Sequence, residues 1–300
     1  MLETFDRQLI PTGSSDIYVA RAGAGPPVLL LHGFPETHLM WHRVAPRLAD
    51  RYTVVCADLR GYGSSSKPPS RPDHGPYAKG ELAVDMIRVM EELGFARFAV
   101  AGHDRGGRVA YRLALDHPDR VERLAVLDVI PTVEAFDRAD SRFALGFWPW
   151  TLLAQPDPLP ERLLAGDPEA VVENVLQEWG TDRAVFSDES VDSYIAALRD
   201  PSAIHAICEE YRAAATIDLE QDRADRAAGR QIDCPVLLLW AADGPLDTWY
   251  EEAGGPLSVW RTWAPRVDGR AVTGGHFFPE SNPDDTVAAL SAFLQADSAP

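Results

Sequence analysis

Three hundred residues, 46% of them hydrophobic and 25% charged, can bury one large core with room for a smaller subdomain beside it. A net charge of −18 repels nucleic acid and anionic membrane surfaces, so neither is expected as a partner, and any pocket for an anion must be built locally from arginines. Cys56, Cys208 and Cys234 lack metal-ligand spacing and read as buried thiols, so neither a metal site nor a cofactor is expected. Residues 1–6 show no basic-then-apolar leader and no apolar run reaches membrane-spanning length, so the chain is expected to be cytoplasmic.

Residues 5–22 alternate loosely around turn residues Pro11 to Ser15, as an opening antiparallel hairpin does. Val28–Leu31 is a short continuous apolar run of the kind buried on both faces of a sheet, and it ends in the small-residue turn His32-Gly33-Phe34-Pro35. An amphipathic stretch from Met40 to Leu48 precedes a strand at Thr53–Cys56 and the Gly/Ser-rich turn Asp58–Ser65. A helix over Gly80–Leu93 places Leu82, Met86, Val89, Met90 and Leu93 on one side, and Phe98 opens the next strand. Further strands are expected at Leu124–Leu127, Val236–Trp240 and Arg270–Val272, with a closing helix at Asp284–Gln295. Strand and helix alternate, the pattern of a mostly parallel α/β sheet flanked by helices, in which ligands bind beyond the carboxyl ends of the strands. Residues 131–216 differ: helical segments are expected at Val133–Gly146, Pro168–Trp179, Asp188–Leu198 and Ala203–Ala215, with a stiff Pro-rich connector at Gln155–Pro160 and no convincing strand. This stretch reads as a helical cap (131–216) inserted into a core formed by 1–130 and 217–300.

Within that frame, Gly102-His103-Asp104-Arg105-Gly106 has the spacing of a nucleophile elbow, a sharp strand–turn–helix corner whose small residues push one side chain up at a helix N-terminus. The raised residue is Asp104, where esterases and lipases carry serine. Read alone, it could equally be an acidic N-cap. Asp128 stands at the end of the next strand and His276 follows Gly274-Gly275, so nucleophile, acid and histidine occur in the chain order of the α/β-hydrolase triad. Asp243 and Asp247, after a later strand, are alternative partners for the histidine.

A carboxylate nucleophile needs no base to deprotonate it. It can displace a leaving group from saturated carbon to form an ester, leaving the histidine free to activate water in a second step. Backbone N–H groups of Arg105 and Phe34 are the candidates to hold the resulting oxyanion. Arg105 and Arg108 lie three apart at the start of the elbow helix, on one face, where a buried substrate carboxylate would neutralise them; the plain alternative is that protein acids do so.

The chain resembles the fluoroacetate (haloacetate) dehalogenases of the α/β-hydrolase superfamily in His32–Thr37, Asp58–Gly63, Gly102–Arg108, Tyr211–Asp218 and Gly274–Phe278. The resemblance implies Asp104 as nucleophile, Asp128 as acid, His276 as base, Arg105 and Arg108 on the substrate carboxylate, a 2-haloacid substrate, and a homodimer. It also implies a halide cradle of Trp150 and Tyr211, with one departure: Pro149 stands where the family has histidine. Proline has no donor, and losing one hydrogen bond to a leaving anion commonly costs about 10²–10³ in rate, so weak defluorination is expected. An epoxide hydrolase uses the same Asp/His/Asp machinery with two cap tyrosines, of which only Tyr211 is identifiable. Haloalkane dehalogenases carry tryptophan where Arg105 stands, and a non-catalytic binding protein of this fold is a further alternative.

Overall fold

The computed structural model describes residues 1–296. Its sheet has eight strands: β1 (Asp6–Pro11), β2 (Asp16–Ala22), β3 (Pro27–Leu31), β4 (Thr53–Ala57), β5 (Phe98–His103), β6 (Val121–Leu127), β7 (Val236–Ala241) and β8 (Val267–Val272). They lie in the order β1-β2-β4-β3-β5-β6-β7-β8. The hairpin β1–β2 and the β2–β4 pair are antiparallel, and every pairing from β4 through β3, β5, β6 and β7 to β8 is parallel.

Side-chain alternation divides the central strands between two cores, since successive residues of a strand face opposite sides. Leu29, Leu31, Val55, Val100 and Val126 join one core with Leu82, Met86 and Val89 of α1 (Lys79–Glu92) and Val109 and Leu113 of α2 (Asp104–Asp116). Val28, Leu30, Val54, Ala101 and Leu127 face the other, with Trp41, Phe278 and Leu290. Both faces are covered, which is why these strands read as unbroken apolar runs.

Between β6 and β7 the described residues form helices and no strand. The expected helix over 133–146 is two, Thr132–Asp137 and Ser141–Gly146, because Asp140 caps the second by accepting from the Arg142 and Phe143 N–H groups. Leu159 and Pro160 belong to a helix, Leu159–Gly166, so the connector is shorter than expected; proline is accommodated in a first helical turn, where its missing N–H has no partner to lose. Pro149 sits the same way in Trp148–Leu152. The chain then runs from α3 (Pro201–Ala213) through a π turn, Ala214–Asp218, into Leu219–Ala227, with no helical break at 216/217. The last helix is α4 (Pro283–Gln295); residues 297–300 of the expected core segment lie outside the described residues. No described helix is long and apolar enough to cross a membrane.

Candidate active site

Asp104 opens α2 directly after β5, at φ +43°, a left-handed conformation that a short polar residue tolerates better than most. The corner presses against the loop after β3: a Cβ on Gly33 would lie 2.6 Å from Asp104 Cβ, so only glycine permits this approach. The next residue's backbone then reaches the carboxylate, with Phe34 N–H donating to Asp104 Oδ2 at 3.0 Å. Burial by itself raises the Asp104 carboxyl, but His276, Arg105, His103 and Arg108 together outweigh it and hold the group below its ordinary range. The carboxylate is therefore ionised at neutral pH.

Asp128 follows β6 at φ +53°. Its Oδ1 accepts from Ala241 N–H at 2.9 Å and its Oδ2 from His276 Nδ1 at 2.6 Å, leaving His276 Nε2 buried without a partner. A carboxylate on Nδ1 fixes the tautomer and leaves Nε2 as an acceptor. Asp243 is exposed, and Asp247 accepts from Trp240 Nε1 (2.8 Å) and Asp243 N–H (3.1 Å), so neither sits on the histidine. The His276 loop is clamped to the insertion, its N–H donating to the Trp179 carbonyl at 2.8 Å. A Cβ on Gly275, which has φ +72°, would overlap the Gly180 carbonyl oxygen.

The two arginines part company. Arg105 Nε and Nη2 donate to Glu210 (2.7–2.9 Å), which also accepts from Lys79, so a protein acid largely neutralises Arg105, contrary to the expectation that a substrate carboxylate would be needed to do so. Only its Nη1 is left without an acceptor. Among the described residues Arg108 has no acid within ion-pair distance: Nη1 donates to the Ile130 carbonyl (2.9 Å) and Thr132 Oγ1 (3.2 Å), and Nε is unpartnered. Burial and the nearby Arg105 both lower its proton affinity, and the Asp104 carboxylate offsets that only in part. Its guanidinium lies 4.2 Å from the Trp150 ring, and that of Arg105 4.0 Å from the Tyr211 ring.

A cavity of about 20 Å³ joins Asp104, Arg108, Asp128, Trp150 and His276. Arg105, Phe34 and Tyr211 are not part of its wall; Phe34 meets Tyr211 edge to face at 5.9 Å. A larger groove of about 780 Å³, near Arg123 and Leu237 at the opposite ends of the strands, holds none of these residues. Several residues beside the site carry no motif of their own. Trp179 packs edge-on to His276 at 5.0 Å, and Leu246 and Tyr250 enter the cavity wall from the segment after β7. His103 Nε2 donates to the His276 carbonyl at 2.9 Å while its Nδ1 lies 3.2 Å from Glu36. Both Glu36 and His103 stand inside recognisable motifs, which was the available signal for them.

A strand-end carboxylate raised on a sharp turn, with a carboxylate-held imidazole on an adjoining loop, defines a hydrolase of the α/β-hydrolase fold, and that family's model matches residues 26–283. The chain is 46% identical to a fluoroacetate dehalogenase from a Burkholderia species, over 98% of this chain and 95% of that protein. Within the fold it belongs to the haloacetate dehalogenase family. It is also 32% identical to a soluble epoxide hydrolase from Corynebacterium sp. (strain C12), over 93% of each. A solved chain from Nostoc sp PCC 7120, provisionally named an alpha/beta hydrolase, superposes with a TM-score of 0.94 at 45% identity, covering 98% of this chain and 99% of that one.

Proposed function

We propose that this enzyme hydrolyses short 2-haloacids, converting a haloacetate to glycolate and halide. One observation carries the reading: an ionised carboxylate, a carboxylate-held imidazole and a guanidinium with no ion-paired acid among the described residues line a single cavity. The unpartnered Arg108 Nε, with Arg105 Nη1 behind it, supplies donors for the carboxylate of a two-carbon acid.

Because Phe34 N–H occupies Oδ2 of Asp104, Oδ1 is the oxygen free to attack. It bonds to the halogen-bearing carbon while the halide departs with the bonding electron pair, giving an ester on Asp104. His276 Nε2 then takes a proton from water as that oxygen adds to the Asp104 carboxyl carbon; the negative charge formed on Oδ2 already faces the Phe34 N–H, and the first-turn N–H of Arg105 is its second candidate donor. On collapse the departing alkoxide oxygen takes the proton back from His276 and leaves as the hydroxyl of glycolate, while the added hydroxyl loses its proton to solvent; Asp104 is again a carboxylate, with the water oxygen retained in it.

Trp150 lines the cavity and its indole N–H has no acceptor among the described residues, so it is the residue proposed to receive the halide. Tyr211, lying over Arg105 outside the cavity wall, serves that role less directly. With Pro149 supplying no donor, chloro-, bromo- and iodoacetate are the preferred substrates over fluoroacetate. The epoxide hydrolase relative favours a second reading, diol formation from an epoxide, but an epoxide brings no negative charge to the Arg108 guanidinium.

Intact-protein mass analysis of His276→Asn, incubated with a haloacetate panel, tests the proposal. The expected result is a carboxymethyl ester on Asp104, identical in mass whichever halide left; an unmodified Asp104 with every haloacid would overturn it.

A further inference from the structure

The haloacid reading accounts for the arginines but not for the wall that faces them. Leu246 and Tyr250 reach the cavity from outside the helical insertion, on the segment between β7 and β8. That segment is held firmly. Asp247 ties Trp240 to the backbone of Asp243, the Tyr250 carbonyl accepts from the N–H groups of Ala253 (3.0 Å) and Gly255 (2.9 Å), and the Trp249 ring packs edge to face on Phe147 at 5.1 Å. A side chain carried on such a support holds its place.

Tyr250 is only 4% exposed, and its hydroxyl has no hydrogen-bond partner among the described residues. A hydroxyl with no protein partner on a residue of the cavity wall is a donor free for an acceptor that arrives with the substrate. Arg108 shares the same cavity wall. The hydroxyl stays protonated at neutral pH: burial pushes it up to about 12, with the Arg108 charge acting in the opposite direction. A tyrosine and an arginine that line one small cavity, each with an unused donor, fit a single anionic acceptor.

Building on the haloacid reading, we propose that Tyr250 is a substrate-positioning residue whose hydroxyl, alongside Arg108, donates a hydrogen bond to the carboxylate end of the acid. It thereby fixes which end of the molecule turns toward Asp104. Its contribution is to binding, made equally in the ground and transition states, and not to the departure of the halide.

The test is Tyr250→Phe, which keeps the ring and removes one oxygen. Two measurements decide it: chloride or bromide release from the corresponding haloacetates, and Kd for acetate, an inert carboxylate, by calorimetry. The expected result is that KM and the acetate Kd rise together by about tenfold to a hundredfold, the worth of a hydrogen bond to a charged group, while kcat is nearly unchanged and the chloro-to-bromo rate ratio stays as in the parent. Unchanged acetate binding overturns the proposal. So does a fall in kcat that is larger for chloride than for bromide, which would assign the hydroxyl to the leaving halide. If His276→Asn traps the ester but Tyr250→Phe leaves acetate binding intact, this inference alone fails; if no ester forms, the haloacid reading itself fails.

Discussion

The carboxyl edge of the sheet and the helical insertion above it place their functional groups by different means. At the sheet edge the backbone does the placing. Asp104 and Asp128 stand at φ +43° and +53° just beyond two strands whose parallel register (Gly102 opposite Val126, His103 opposite Leu127) sets their separation. An N–H at the end of β7 then locks the acid, and the Trp179 carbonyl and His103 ring lock the histidine's main chain. Facing the insertion, side chains place one another: Arg105 is set by Glu210, and Glu210 by Lys79 and Tyr62. Buried ion pairs of this kind add little net stability, because desolvation offsets most of the attraction. The contrast teaches where each property resides. Backbone-placed groups cannot readjust, and the proposed mechanism puts the bond-making chemistry there, whereas the groups proposed to select a substrate sit on side chains that neighbouring substitutions can reset.

The sharpest way to break this comparison is at its most rigid point. Asp104→Ala removes the proposed nucleophile, and no neighbour can take over from a corner of that shape. Halide release is expected to fall by about 10⁴-fold or more, and any residual turnover near the parent rate would end the account. A smaller effect is expected one step removed. Gly275→Ala removes no reacting group but forces the His276 loop off the Gly180 carbonyl, and a displacement of this order commonly costs about 10²-fold. Because Asp104 and its alkylation are untouched, the loss falls on the second step, and ester accumulating on Asp104 during turnover, seen by mass, is the signature. Normal turnover would mean that the loop tolerates what its backbone geometry forbids.

Legibility in the sequence follows the same division. The strands β3, β5, β6 and β7 were readable because burial on both faces demands continuous apolar runs, and the elbow because a tight corner demands small residues at set positions. The Glu210 clamp on Arg105 was not readable: 105 residues separate the partners, and an acid on a helix gives no local sign that it faces inward. The split of the expected 133–146 helix turned on one capping side chain, Asp140, and the continuation past Ala213 on a π turn, neither of which disturbs apolar periodicity. Tyr250 lay hidden for a related reason, since a lone tyrosine in a connecting segment has no spacing to give it away.

The smallest expected effect concerns the seam between the two regions. Asp222, on the helix that leads back from the insertion to the sheet, accepts from Tyr111 Oη of α2 at 2.8 Å and from the Val133 N–H of the insertion at 3.2 Å, both on Oδ2. Burial raises its carboxyl to about 6, despite those two donors and the nearby Arg112. The folded protein therefore holds a proton that the unfolded chain, with a carboxyl near 3.8, has already released. Its contribution is fully favourable below pH 3.8 and is lost as pH rises through about 6; a shift of this size corresponds to about 3 kcal/mol. Asp222→Asn keeps an oxygen for Tyr111 and Val133 and removes the titration. Urea midpoints measured from pH 4 to pH 7 should therefore fall less steeply in the variant than in the parent. Parallel curves would show that the seam is held by a carboxylate already ionised throughout this range, with Arg112 compensating its charge more completely than a 3.6 Å separation suggests.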